Sequence, residues 1–395
     1  MSAESTPPPG IPEEHPGTPG PERARTRGGG GGRRRRPRTP RQRALRAAAW
    51  SAAGVVALGG AGLGYLYTRL DGNIASIDID HMLGSARPAN TDDGSQDVLV
   101  LGSDSRSGGS NKRLGGGAGE AGARADTAML VHVHKGRTSA SVVSIPRDTL
   151  VDRPSCVDRS GQRKPAEKDV MFNSAYSIGG AACTVKTVEA MSGVRVDHFV
   201  EVDFTGFRRM VDALGGVEVT TRERISDPES RLRLDAGTHR LSGTQALGLV
   251  RTRHGVGDGS DLGRIQLQQA FLKALAEQVK EVGVLSHPKR LYDLADTATR
   301  SVTTDEDLGS VTALASFAGG LKDIGPSKLT MTTLPVDYDP DAPNRVLLDE
   351  DKAALVWSAL RHDKAIPAKA KGSATGHADE VVGSPSRSAA SRAAS

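Results

Sequence analysis

The chain has only two cysteines in 395 residues, which excludes a disulfide-stapled mini-protein and a Cys-rich zinc module. Its 47 glycines and 21 prolines fall far short of collagen-like levels, and aromatic residues make up only 3%. There is no GxxxxGK[ST] loop and no GxGxxG turn opening a helix, which argues against a nucleotide ligand. No GxSxG elbow is present for a serine hydrolase, and His254 has no partner histidine at metal-ligand spacing. No internal repeat is found. Lysine is missing altogether from residues 1–46, where 11 Arg stand against 4 Glu. That stretch carries +7 of a total net charge of +5, so the remaining 349 residues carry −2. The basic character belongs to a tail, and nucleic acid is not expected as a partner of the folded part.

Residues 1–46 are Arg-, Pro- and Gly-rich, with a Gly28–Gly32 run and an Arg33–Arg36 run. They lack the apolar content needed to offset chain entropy and read as a disordered cytoplasmic tail. Residues 47–68 (AAAWSAAGVVALGGAGLGYLYT) then run for 22 positions without a charge. As a helix they reach roughly 33 Å at 1.5 Å per residue, enough for a hydrocarbon core of about 30 Å. Trp50, Tyr65 and Tyr67 lie near the ends, where interfacial aromatics sit. The arginines before the segment predict a single-pass protein with its N-terminus inside and the rest outside the cell membrane. A cleaved signal peptide is the rival reading, but the tail and the apolar run are both long for one.

Residues 69–96 read as a polar juxtamembrane connector, 97–363 as one extracellular domain, and 364–395 as a disordered tail. In an oxidising compartment Cys156 and Cys183 are expected to form a disulfide, with two free buried thiols as the alternative. VLVLG (98–102), AMLVHV (128–133), SASVVSIP (139–146), HFVEVD (198–203) and VEVTT (217–221) are apolar or alternating runs that predict strands. Helical spacing appears over 181–192, 204–214, 244–250, 264–282 and 349–360. Strands interleaved with helices predict an α/β domain.

The candidate chemistry gathers at the ends of these elements. LGSDSR (101–106) places Asp104 and Arg106 just past the C-terminal end of a strand, where α/β sheets bind ligands. After a Gly/Ser-rich loop, Arg124 and Asp126 open the next strand. Two aspartates with no His or Cys nearby suit a hard cation such as Mg²⁺. SIPRDT (144–149) brings Arg147 and Asp148, and LVRTRH (249–254) brings Arg251 and Arg253. These two arginines are two residues apart, so an extended backbone points both the same way. Arg264 and Gln268 lie one turn apart on a helix whose N-terminus favours phosphate, with Asp261 as a cap or an acid near the metal. Each arginine alone reads as a surface ion pair. Together they suit bidentate binding of a pyrophosphate and stabilisation of charge in phosphoryl transfer.

DVLVLGSDSR, RADTAMLVHV, VVSIPRDTLV, FNSAYSIGGAACTVKTVEAMSGVRVDHFVEVDF, LGGVEV, ALGLVRTRH and GDGSDLGRIQLQQAFL, in this order over about 97–360, resemble the LytR-CpsA-Psr family. The resemblance implies a central mixed β-sheet flanked by helices on both faces, with an apolar cavity for an isoprenoid tail. It implies a phosphotransferase that moves a glycopolymer phosphate, such as teichoic acid, from a polyprenyl-pyrophosphate carrier to a peptidoglycan hydroxyl, the muramic acid 6-OH, with Mg²⁺ or Mn²⁺ and with pyrophosphatase activity as a side reaction. The alternative is a non-catalytic scaffold that binds polyprenyl phosphate. Carried onto this chain, Asp104 and Asp126 hold the metal, Arg147, Arg251 and Arg253 are catalytic, and Arg106, Arg124, Arg264 and Gln268 bind the pyrophosphate. Two departures stand out. Met171-Phe172-Asn173 replaces a frequent Lys-Ile-Asn, and Leu267 stands where a second arginine is usual.

Overall fold

The structure, a computed structural model, describes residues 40–90, 94–103, 125–158, 160–253, 256, 261–281, 288–342, 344–370 and 382–383. The expected membrane segment lies within helix α1 (Pro40–Asp71), of which Ala49–Asp71 is long and apolar enough to cross a membrane. Trp50, Val56 and Leu58 are exposed on it. Residues 1–60 and 61–395 separate into two units, and the architecture below belongs to the second.

The strands of its central sheet and the main pair of a smaller sheet are β1 (Ala75–Ile77), β2 (Gln96–Ser103), β3 (Ala125–Val133), β4 (Ala140–Ile145), β5 (His198–Asp203), β6 (Val217–Thr221), β7 (Gly237–Leu241), β8 (Val302–Asp305) and β9 (Leu329–Thr333), beside several further short strand pairs. Its longer helices are α2 (Asn173–Ser192), α3 (Phe204–Ala213), α4 (Gly243–Arg251), α5 (Asp261–Glu281), α6 (Pro288–Thr299), α7 (Val311–Leu321) and α8 (Glu350–Arg361). The central sheet has seven strands in the order β1-β8-β5-β2-β3-β4-β9. β2, β3 and β4 form an antiparallel meander with Leu99 opposite Leu130 and Leu130 opposite Val143. β5 runs parallel to β2, and β9 parallel to β4, so the sheet is mixed. β6 and β7 form the core of a separate small sheet.

All six residues of β4 are buried, the pattern of a strand covered on both faces. On one face, Leu99, Leu101, Leu130, Val143 and Ile145 pack with Val185 and Val188 of α2 and Val356 and Trp357 of α8. On the other, Gln269 of α5 donates hydrogen bonds to Ser144 of β4 and Thr333 of β9. A second core gathers Val217, Val219, Leu241, Leu249, Leu267 and Phe271. Leu267 is fully buried there, so the departure at this position is a core side chain and not a vacant ligand position.

The expected helix start near Ala181 corresponds to a break. α2 begins at Asn173, and Gly179 and Gly180 leave helical geometry inside it, Gly180 with φ 63°. A Cβ on Gly179 would meet the Val157 carbonyl oxygen at 2.6 Å, so only glycine allows this approach. The turn of helix that follows carries Cys183, which is disulfide-bonded to Cys156.

The folded part extends beyond the expected limits of 97–363. Within the 69–96 connector, Ala75–Ile77 joins the sheet edge as β1, and Arg87 forms a 2.8 Å ion pair with the buried Glu189 of α2. Beyond 363, Ala370 is fully buried in the main core and Val382–Gly383 pairs with β6. Three exposed strand residues and isolated apolar side chains carry no periodic signal, which is why neither piece is legible as structure in the sequence.

Candidate active site

The start of β3, the turn after β4 and the first turn of α5 meet at one place. Arg147, just after β4, donates to Asp126 of β3 at 2.7 Å and to Asp148 at 3.4 Å. Its guanidinium is also 3.6 Å from Asp261, the first residue of α5. Asp261 lies 3.6 Å from Arg253 and 2.5 Å from Arg264 as well, so one carboxylate sits among three guanidinium groups. Both Asp261 oxygens are buried and make no well-directed hydrogen bond among the described residues.

Helix α5 is fastened to β3 by the residues expected to bind pyrophosphate. Arg264 donates to the Asp126 carbonyl at 3.0 Å, and Gln268 donates to Thr127 Oγ1 and the Val250 carbonyl, both at 3.0 Å. Both side chains are nearly or fully withdrawn from solvent. Arg253 is held through its backbone, whose N–H donates to Asp227 at 3.0 Å. The backbone of Arg147 is held by Asn173, whose N–H donates to the Arg147 carbonyl at 3.0 Å.

These contacts set the charges. Burial works against the Arg147 cation, but Asp148, Asp126 and Asp261 outweigh it and raise its pKa above the ordinary value. Burial raises the Asp148 carboxyl; Arg147 pulls it back and Asp261 pushes it further up. Arg264 is lowered, chiefly by desolvation. The arrangement therefore offers several bidentate donors to an anion and one carboxyl with increased proton affinity.

Of the residues singled out in the sequence, Asp126, Arg147, Arg253, Arg264 and Gln268 come together here. Arg251 is placed differently. It ends α4, so the extended alternation expected to align it with Arg253 does not apply, and its guanidinium carbon lies 5.0 Å from the centre of the Phe204 ring. Asp104, Arg106 and Arg124 lie outside the described residues. Asp148 and Asp261 join the centre of the cluster; the sequence marks Asp148 only as the neighbour of Arg147, and Asp261 as a helix cap or an acid near the metal. Ser103, the last residue of β2, donates to Glu201 of β5 at 2.6 Å, and Tyr176 of α2 donates to the same oxygen at 2.5 Å. That fixes the strand end from which Asp104 follows; Glu201 carried no signal in its strand-like run.

Asp126, one of the two acids expected to hold Mg²⁺, offers a carboxylate oxygen of the kind a hard cation takes, and that carboxylate is engaged by Arg147.

The profile of the LytR_cpsA_psr family matches residues 66–362. The chain belongs to this family. Among curated LytR_cpsA_psr relatives, "Cell wall biosynthesis protein LcpA" of Corynebacterium glutamicum is 33% identical over 300 residues, covering 70% of this chain and 57% of LcpA. "Polyisoprenyl-teichoic acid--peptidoglycan teichoic acid transferase TagT" of Bacillus subtilis is 33% identical over 247 residues, covering 61% of this chain and 70% of TagT. The chain thus spans little more than half the length of LcpA. Among solved structures, the "LytR-Csp2A-Psr enzyme from Actinomyces oris" superposes with a TM-score of 0.55 at 22% identity, over 78% of this chain and 98% of that one. "TagT bound to LIIa-WTA" gives a TM-score of 0.53 at 26% identity, over 73% of this chain and 98% of that one. The mixed sheet with helices on both faces is the fold of this family.

Proposed function

We propose that this protein is a membrane-anchored transferase of cell-wall assembly, moving a glycopolymer phosphate from a polyprenyl-pyrophosphate carrier to a peptidoglycan hydroxyl, the muramic acid 6-OH. The observation that carries the proposal is the convergence of Arg147, Arg253 and Arg264 on one point beside Asp126, Asp148 and Asp261. Its context is a chain related to teichoic acid transferases.

In the resting site the arginines are paired with aspartates. An incoming pyrophosphate takes over these donors, with Arg147 and Arg253 binding its oxygens and Arg264 and Gln268 keeping the head of α5 against β3. Arg106 and Arg124 add to the pyrophosphate site. A Mg²⁺ or Mn²⁺ ion held by Asp104 and Asp126 would withdraw charge from the phosphate oxygens. The acceptor hydroxyl oxygen forms a bond to the glycopolymer-linked phosphorus. The bond from that phosphorus to the bridging oxygen breaks, and polyprenyl phosphate leaves with the electron pair. Asp148 receives the hydroxyl proton, since burial and the neighbouring Asp261 raise its proton affinity above that of an ordinary carboxylate. If water enters in place of the acceptor, the same centre yields a pyrophosphatase side reaction.

The test is transfer of a polyprenyl-pyrophosphate-linked glycan to peptidoglycan fragments by the purified full chain in detergent. Arg253→Ala and Arg147→Ala are each expected to lower turnover by about 10²–10³. Unchanged turnover in both, or lipid bound by a wild-type protein that never transfers phosphate, rejects the catalytic assignment; the latter outcome favours a lipid-binding scaffold.

A further inference from the structure

The opposite end of β3 carries a second cluster. Asp126 opens the strand and His132 stands about 20 Å further along it, at roughly 3.3 Å per residue. His132 and His134 are two residues apart and share a face. Sheet register places Asp97 of β2 and Ser141 of β4 on either side of His132. The third member, Asp363, comes from the turn after α8, held at φ 48°, a left-handed conformation that Asp tolerates better than most residues.

The hydrogen bonding is unusual for two imidazoles. His132 Nδ1 is 3.0 Å from Asp97, and its Nε2 is 3.1 Å from Asp363 Oδ1. His134 Nδ1 is 2.6 Å from that same oxygen, and its Nε2 is 2.9 Å from Ser141 Oγ. A neutral imidazole has one N–H, so neutral His132 cannot donate to both of its carboxylates. A second proton on His132 satisfies both carboxylates, and so does a cation at Asp363. In the second case Asp97 receives Nδ1–H of His132 and Ser141 receives Nε2–H of His134, as outer partners of metal-bound histidines do. The two remaining nitrogens and the Asp363 oxygen are left as inward-facing lone pairs.

We propose that His132, His134 and Asp363 form a Zn²⁺ site separate from the arginine centre. Their ligand atoms lie within 4.8 Å of one another. Two imidazole nitrogens and one carboxylate oxygen are a zinc donor set with a fourth position for water, whereas Mg²⁺ prefers oxygen. Tetrahedral bonds of about 2.0–2.1 Å put ligand atoms roughly 3.3 Å apart, so Asp363 Oδ1, now 2.6 Å from His134 Nδ1 and 3.1 Å from His132 Nε2, must draw back from His134 by about 0.7 Å and from His132 by a few tenths of an ångström. His134 and Asp363 are partly exposed, with side chains 15% and 18% accessible, so an ion reaches the site from solvent. Bound there, zinc ties the C-terminal end of α8 to the sheet.

The full chain in detergent, stripped with EDTA and then equilibrated with Zn²⁺ in the presence of excess Mg²⁺, is expected to retain one zinc per molecule. Zinc K-edge absorption is expected to report two nitrogen ligands. His134→Ala and Asp363→Asn should each weaken binding at least tenfold, and Asp97→Asn by about 10–100-fold. His198→Ala, which alters the other His–Asp pair of the sheet, should leave binding unchanged. Circular dichroism identifies a variant that has failed to fold, and in that case the wild-type stoichiometry and absorption edge decide. A wild-type chain that binds no zinc, zinc held equally by the folded His134→Ala protein, or loss of binding on His198→Ala overturns the site.

Discussion

Asp261 concentrates most of the electrostatics of the arginine centre in one side chain. It faces Arg147, Arg253 and Arg264, and its side chain is only 14% accessible. Removing one member of a largely buried charge cluster leaves its partners uncompensated, which costs more than the net value of the pairs. Asp261→Asn is therefore expected to lower unfolding free energy by about 3 kcal/mol in denaturant titrations at low salt. Pyrophosphate should restore more thermal stability to this variant than to the wild type, because the ligand supplies the missing negative charge. Asp148 makes a different prediction. As the proton acceptor it should matter to rate more than to folding, with Asp148→Asn lowering turnover by about 10²–10⁴ and removing the acidic limb of the pH–rate profile.

Among the elements, two fastenings outside the arginine centre are open to measurement. The disulfide between Cys156 and Cys183 closes a 27-residue separation and secures the kinked start of α2. Loop-closure entropy for that length predicts a loss of about 3–4 kcal/mol in a Cys156→Ser/Cys183→Ser protein, read from denaturant unfolding with and without reductant. β5 and β8 are joined by His198 and Asp305, 3.2 Å apart, with Asp305 also accepting the Phe199 N–H. Burial opposes the His198 charge, but Asp305 outweighs it and holds the imidazole above its ordinary 6.5. Burial likewise opposes the Asp305 charge, but His198 and the Phe199 N–H outweigh it and hold the carboxyl below 3.8. The contribution of the pair is complete between those two ordinary values. It is lost as pH rises through the raised imidazole value, or falls through the lowered carboxyl value. His198→Gln should flatten the alkaline side of the stability profile while leaving unfolding cooperative.

For the whole molecule, the arrangement of charge along the chain predicts orientation. Eleven arginines precede the apolar helix, and the rest of the protein is nearly neutral. A reporter active only outside the cytoplasm is expected to work when fused after Ser395 and to fail when fused before Met1. Replacing Leu58, in the middle of the helix, by Arg should weaken membrane retention in fractionation.

The sequence determined the class of the fold and the residue types of the arginine centre, because both are written in local patterns. β5 and β6 follow their apolar runs residue for residue, and the arginines that converge were visible as residues ending strands and opening a helix. The tertiary structure decided which groups meet. It put Asp261 among three guanidiniums, set Arg251 against Phe204, buried Leu267, and brought Asp363 to two histidines more than 200 residues away. Those outcomes depend on pairings between distant segments, whose energy comes from packing and charge in three dimensions and leaves no periodic trace along the chain.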